Sequence, residues 1–209
     1  MSERSVDEGP ANANESPVKG IARKVVAIEG NMWRSLALWI LRRPTHGPGG
    51  AAFGYIKPLN AVLWAFIIVS AVETVAFHLI LPWPVVRLAV DLLSVYGLVW
   101  MFGILAAYKV HLHVVDDRGI RLRHGFFIDV LIPWADIAAV RPGRKFLAGS
   151  GTVQVEHDTV HIVVSGQTNM EIELRRPVAV SLKKVDGPVR RVRFYADDPE
   201  ALAQAASRA

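Results

Sequence analysis

Two apolar runs dominate the pattern of this chain, Leu59–Leu81 and Val85–Tyr108, and they meet at Pro82-Trp83-Pro84. A bilayer hydrocarbon core of about 30 Å takes about 20 helical residues. Each run is therefore long enough to cross, and the pair, 59–108, predicts a transmembrane helical hairpin. Ahead of it, apolar residues recur at Ile21, Val25, Ile28, Met32, Leu36 and Trp39/Ile40, while Arg23, Lys24, Asn31 and Arg34 fall mostly off that stripe. This spacing predicts an amphipathic helix over 21–43. Its apolar core is too short to span and basic residues bracket it, so it is expected to lie in the headgroup plane with Trp33 and Trp39 at the interface. The alternative is a helix packed on the soluble domain. Residues 1–20 are polar, interrupted by Pro10, Pro17 and Gly20, and read as a disordered tail rather than a secretory signal. The stretch 44–58 reads as a linker with Thr45–Gly54 as a flexible connector; its glycines do not make a phosphate loop, since no Lys-Ser/Thr follows.

After Lys109 the period drops from helical to alternating. Val110, Leu112 and Val114 alternate with His111, His113 and Val115, then Ile120 and Leu122 with Arg121 and Arg123. A three-residue hairpin loop at 117–119 would pair Val114 with Leu122 and His113 with Arg123, keeping one face apolar and giving the other His111, His113, Arg121 and Arg123. Further strands are expected at Phe126–Ile132, Ile137–Val140, Thr152–Glu156, Val160–Val164, Met170–Leu174, Val178–Leu182 and Arg190–Tyr195, divided by glycine-rich turns. Asp197-Asp198-Pro199-Glu200 starts a terminal helix with an Asp cap and an early proline. Residues 109–209 are thus a small barrel or sandwich closed by a helix.

Charge fixes the expected orientation. Arg42, Arg43 and Lys57 precede the first span, Lys109, Arg118, Arg121 and Arg123 follow the second, and the turn between them carries no basic residue. The hairpin should sit in the cell membrane with both termini cytoplasmic. The net charge of +5 is mild, which suits a surface facing anionic lipid and not a nucleic-acid binder. The spans themselves contain Glu73, His78, Arg87 and Asp91, each costly in hydrocarbon when left alone. They read as an intramembrane polar seam in which Arg87 bridges Asp91, four residues on, and Glu73 across the hairpin, with His78 turned toward water or another subunit. An ion or proton path through an oligomer and a polar patch for a partner are the alternatives.

With no cysteine there is no disulfide, thiolate metal site or thiol nucleophile. His111, His113, His157 and His161 could in principle hold zinc, but solvated surface positions beside a membrane are the simpler reading. Asp116-Asp117 lies in a hairpin loop and Asp197-Asp198 caps a helix, so both pairs have structural uses. No catalytic residues, metal ligands or cofactor site are assigned, and an enzyme is not expected. Trp134 reads as core at the Pro133 corner. Arg141, Arg144 and Lys145, beside Phe146 and Leu147 in a mobile loop, are candidate membrane-surface or partner contacts together with Arg42, Arg43, Lys57 and Lys109.

The run Leu112–Gly125 (LHVVDDRGIRLRHG), then Ile132-Pro-Trp-Ala-Asp-Ile137, then Tyr195-Ala-Asp-Asp-Pro-Glu-Ala-Leu202 resembles the bacterial PH-like domain family, in its membrane-anchored two-span, actinobacterial-type members. The resemblance covers roughly residues 55–207. It implies an α+β membrane protein: a two-span hairpin followed by a seven-stranded PH-like β-barrel with a C-terminal helix and no common catalytic activity. The first hairpin loop carries only Arg118 where lipid-binding PH domains place several basic residues, a departure from phosphoinositide binding. The expected function is a membrane-anchored, non-enzymatic interaction module at the cytoplasmic face. Its partners would be membrane lipids and either a protein or further copies of itself. The alternative is an accessory subunit or ion pathway using Glu73, Arg87 and Asp91.

Overall fold

The computed structural model describes residues 17–43, 49–149, 151–180, 182, 185 and 187–209, and of residues 17–22, 24 and 25 the backbone alone. The tail expected over 1–20 falls almost entirely outside the described residues.

Three helices come first: α1 (Pro17–Ile40), α2 (Lys57–Ile80) and α3 (Pro84–Val110). Pro58 and Pro84 sit in the first turns of α2 and α3, where a missing N–H costs nothing, and the turn between the helices is confined to 81–83. Both are long and apolar enough to cross a membrane. Their outer surfaces are largely uncovered: Phe66, Val72, Leu79, Leu88 and Leu93 are among many exposed apolar side chains. Trp64 meets Phe102 edge to face across the hairpin.

α1 runs alongside α3, and their contacts advance in the same direction along both helices. The Tyr96 hydroxyl donates to Glu29 (2.9 Å), Met32 fills the notch left by Gly103, and Ser35 lies 3.2 Å from His111 Nε2. Ser35 gives its own proton to Asn31 O, so His111 is the donor in that pair. A Cβ at position 103 would collide with Met32, which is fully buried. Trp33, Ile40 and Leu41 remain exposed.

The rest of the chain is two packed sheets. The first has the order β1-β2-β3-β4, from Ala51–Phe53, His113–Asp116, Gly119–His124 and Ile128–Pro133. The second has the order β5-β8-β9-β7-β6, from Ile137–Phe146 (β5), Val153–Glu156 (β6), Thr159–Ile162 (β7), Gln167–Ala179 (β8) and Pro188–Phe194 (β9). All pairs are antiparallel except β7 with β9. Ile120, Leu122, Val160, Met170, Ile172, Val192 and Phe194 fill the space between the sheets, joined by Leu202 of α4 (Pro199–Arg208). The Asp198 carboxylate caps α4 by accepting the Ala201 N–H at 3.0 Å. Trp134, in a 3-10 turn, packs on this core and donates to Asp116 O at 2.8 Å.

Several sequence expectations need correcting. The β2–β3 hairpin pairs Val114 with Arg121 and Asp116 with Gly119, a two-residue turn at Asp117-Arg118 and not a three-residue loop. The expected register followed from treating His113 as a solvent residue. It is instead buried, so placing it beside Leu122 leaves the inner face intact. Gly119 is required because a Cβ there would strike the carbonyl of Ile132.

The connector Thr45–Gly54 contains strand β1, which pairs with β2 from Ala51↔Val115 to Phe53↔His113. The strands expected at Met170–Leu174 and Val178–Leu182 are one strand, β8, whose register shifts where Arg175-Arg176-Pro177 interrupts the pattern. Arg141–Phe146 is not a loop: it continues β5, which lies at a sheet edge where Pro142 is tolerated. Among the described residues, 113–209 hold eight strands where the resemblance implied seven, and β1 makes a ninth.

Candidate functional site

The helices and the sheet domain meet through the stretch Gly54–Lys57, which leads from β1 into α2. The Asp197 carboxylate accepts the N–H groups of Ile56 (3.2 Å) and Lys57 (2.9 Å), while Lys57 Nζ donates to Asp197 O and Asp197 N donates to Gly54 O. Position 54 has no room for a side chain, because a Cβ would press on that carboxylate. Tyr55 is fully buried. Its hydroxyl accepts the Gly125 N–H at 2.7 Å, at the tip of the β3–β4 hairpin. Its ring lies 4.7 Å from that of His113 and 5.4 Å from that of His124, with Tyr108 of α3 edge-on to both Tyr55 and His124.

The hydrogen bonds settle the His113 tautomer. Nδ1 accepts the Arg123 N–H at 3.1 Å, so the proton sits on Nε2 and is donated to Tyr195 O at 3.0 Å. Burial pushes the His113 imidazole down to about 4, and burial pushes His124 down to about 4 as well. Among the described residues His124 Nδ1 has no hydrogen-bond partner. Burial also lowers His111, aided by the nearby Arg123 charge, and raises the Tyr55 hydroxyl above its ordinary range. The stacked Tyr55, His113 and His124 rings are neutral and buried. Beside them a cavity of about 340 Å³ opens between the β3–β4 tip and the second sheet, lined among others by Tyr108, His124, Phe127, Val153 and Leu182.

The histidines are not solvated surface positions as a group. His113 and His161 are buried, and among the described residues neither ring nitrogen of His161 has a hydrogen-bond partner, with Nε2 3.6 Å from the Glu156 carboxylate. Among the described residues no three His, Asp or Glu side chains gather as a metal-binding group.

In the hairpin, His78 Nδ1 donates to Asp91 Oδ2 at 2.7 Å. The partner of Asp91 is therefore His78 and not Arg87. The sequence spacing turned His78 toward water or another subunit, whereas its imidazole reaches across the hairpin to Asp91. Among the described residues neither Glu73 nor Arg87 has an ion-pair partner.

The candidate contact residues are scattered. Arg42 and Arg43 are exposed beyond the end of α1, and Lys109 lies over the Trp39 ring at 5.7 Å. Lys57 is committed to Asp197. Arg141 pairs with Glu173 at 3.7 Å, Lys145 with Glu156, and Arg144 is exposed. Acids likewise answer most other basic residues of the sheets: Arg118 with Asp116, Arg121 with Asp129, Arg176 with Asp136, Arg191 with Asp158 and Arg193 with Glu171. Tyr55, His124 and Asp197 were missed as site residues. The available signal was Tyr55 itself, an aromatic with a polar tip placed just before a span.

Residues 113–209 match the bacterial PH domain family. No curated protein and no solved structure matches the chain. The match begins at the first residue of β2 and runs through α4, so it takes in both sheets and the capping helix but leaves out β1 and the helical hairpin. The similarity to the bacterial PH domain family is thus a property of this C-terminal domain.

Proposed function

We propose that this protein is a membrane-anchored, non-enzymatic module that holds its PH domain at the cytoplasmic face for contact with a protein or with anionic lipid. The observation that carries the reading is the double attachment of the domain. β1 and Asp197 grip the entrance to α2, and Tyr108 at the exit of α3 packs on His124. A domain held at both ends of a hairpin has its orientation to the membrane set by the helices. The uncovered apolar surface of α2 and α3 supports their place in the bilayer, and the basic flanks support the inward orientation. With α1 packed along the inner half of α3, in place of lying flat in the headgroup plane, it is the end of α1, with Ile40 and Leu41 exposed, that reaches the interface.

Attraction to anionic lipid is worth about 1 kcal/mol per basic residue held near the surface, and most basic residues of the sheets already face an acid. A protein partner is accordingly favoured over a lipid one. The test is capture from native membranes with the full chain, set against binding of the purified protein to anionic vesicles. A partner lost when surface residues of the PH domain are changed supports the reading; tight, salt-resistant, headgroup-selective vesicle binding with no protein recovered overturns it. The accessory-subunit or ion-pathway reading has the His78–Asp91 pair in its favour, since Asp91 Oδ1 is buried with no partner among the described residues.

A further inference from the structure

Glu73 is exposed on α2 among exposed Val69, Val72 and Phe77, and among the described residues it has no ion-pair partner. It lies seven residues before the end of α2, about 10 Å along the helix at about 1.5 Å per residue. An arginine at such a depth can reach the headgroups along its own stem, but a glutamate is too short. Facing lipid alone, an ionised carboxylate is costly to insert. Arg87 is three residues into α3, about 5 Å along that helix by the same rise, and it too has no ion-pair partner among the described residues. The hairpin thus carries two uncompensated charges of opposite sign, on different helices, a few ångströms apart in depth.

We infer that the exposed face of α2 packs against a second copy of this chain, with Glu73 of each copy paired to Arg87 of the other. The inference rests on the membrane-anchored reading above. A two-fold axis along the membrane normal keeps each residue at one depth in both copies and forms the pair twice, as an isologous contact requires. The depth difference is about 5–6 Å, and the length of the arginine covers it. His78 and Asp91 stay within each copy, where they already pair with one another.

The test is co-purification of two differently tagged full-length copies from mild detergent. Wild-type copies should co-purify. Glu73→Arg expressed with itself sets arginine against arginine, and Arg87→Glu with itself sets acid against acid; each should lower co-purification at least tenfold. Co-expressing the Glu73→Arg copy with the Arg87→Glu copy restores two complementary pairs and should restore co-purification. Because Glu73→Arg can itself obstruct insertion, Glu73→Gln is the second probe: it should insert at least as well as wild type yet lose the partner. Single swaps without effect, or a mixed pair that fails to recover while both variants remain in the membrane fraction, would overturn the pairing, as would wild-type copies that never co-purify. Release of the wild type from membranes by alkaline carbonate would instead overturn the membrane reading beneath it.

Discussion

The Tyr55 hydroxyl, which belongs to the chain before the hairpin, accepts the N–H of Gly125, which lies 70 residues later at the tip of β3–β4. The bond is buried, so its loss leaves an amide proton with no acceptor and no water. Tyr55→Phe keeps the ring stacked on His113 and His124 and removes only the oxygen. It should cost about 1–3 kcal/mol, the penalty for stranding a buried donor. Tyr55→Ala also empties the stack and should cost about 3–5 kcal/mol. Thermal denaturation in detergent reads both. A neutral Tyr55→Phe would mean that the bond to Gly125 adds nothing to the junction.

The strand β1 makes the sheet domain discontinuous in sequence, because its edge is supplied from ahead of the helices. A chain restricted to 109–209 lacks both β1 and Tyr55, so it exposes the edge of β2 and the apolar face of the His113–His124 pair. It should melt at lower temperature than the domain in the full chain and associate through the bare edge. Joining residues 49–57 to 111–209 through a short Gly/Ser linker keeps β1, Tyr55 and the Asp197 grip without baring the face of α1 that packs on α3. That shortened chain should stay monomeric and melt higher. Size-exclusion chromatography and melting of the two fragments decide it, and equal behaviour would show that β1 is dispensable.

The hairpin and the terminal cap were legible because each is written locally: two apolar runs around a proline turn, and Asp-Pro-Glu before an alanine-rich segment. The β2–β3 register was misread because it turned on whether His113 faces solvent, and that depends on Tyr55 and Phe194, distant in sequence. β1 escaped notice for a related reason. Ala51-Ala-Phe carries no alternation and is a strand only because β2 offers it an edge. Sequence spacing likewise proposed an Arg87–Asp91 pair on one helix, and the facing helix supplied His78 instead.

Acid should weaken the junction. His113 and His124 have folded values of about 4, against about 6.5 for an unperturbed histidine. Between those limits the unfolded chain binds protons that the folded chain refuses, so stability falls as pH falls from about 6.5 to about 4 and levels off below. For the buried His113 the full loss is about 3 kcal/mol at 1.36 kcal/mol per unit. His124→Phe removes one of the two titrations and also a buried nitrogen without a partner. The variant should be at least as stable as wild type at pH 7 and lose less on acidification. Melting temperature measured from pH 7.5 to 4 gives the slopes; identical slopes would show that His124 titrates normally.

The His78–Asp91 pair gives the last prediction. His78→Leu leaves the Asp91 carboxylate facing α2 with neither oxygen satisfied, because Oδ1 already lacks a partner and Oδ2 loses its donor. The cost should approach the about 2.5–3.5 kcal/mol of a lone acid within a span, seen as a lower melting temperature and less protein in the membrane fraction. Asp91→Leu leaves an imidazole that is more than half exposed and can turn outward, so it should be the milder change. His78→Leu combined with Asp91→Leu removes the acid along with its partner and should recover most of what the first change lost. The cycle over the four proteins then reports the coupling directly. Hydrogen bonds between membrane helices are worth about 0.6–2 kcal/mol, so a coupling in that range identifies the pair as a clasp between α2 and α3. A coupling near zero, with His78→Leu as stable as wild type, would show that Asp91 is held by something other than His78 and would shift weight to the ion-pathway reading.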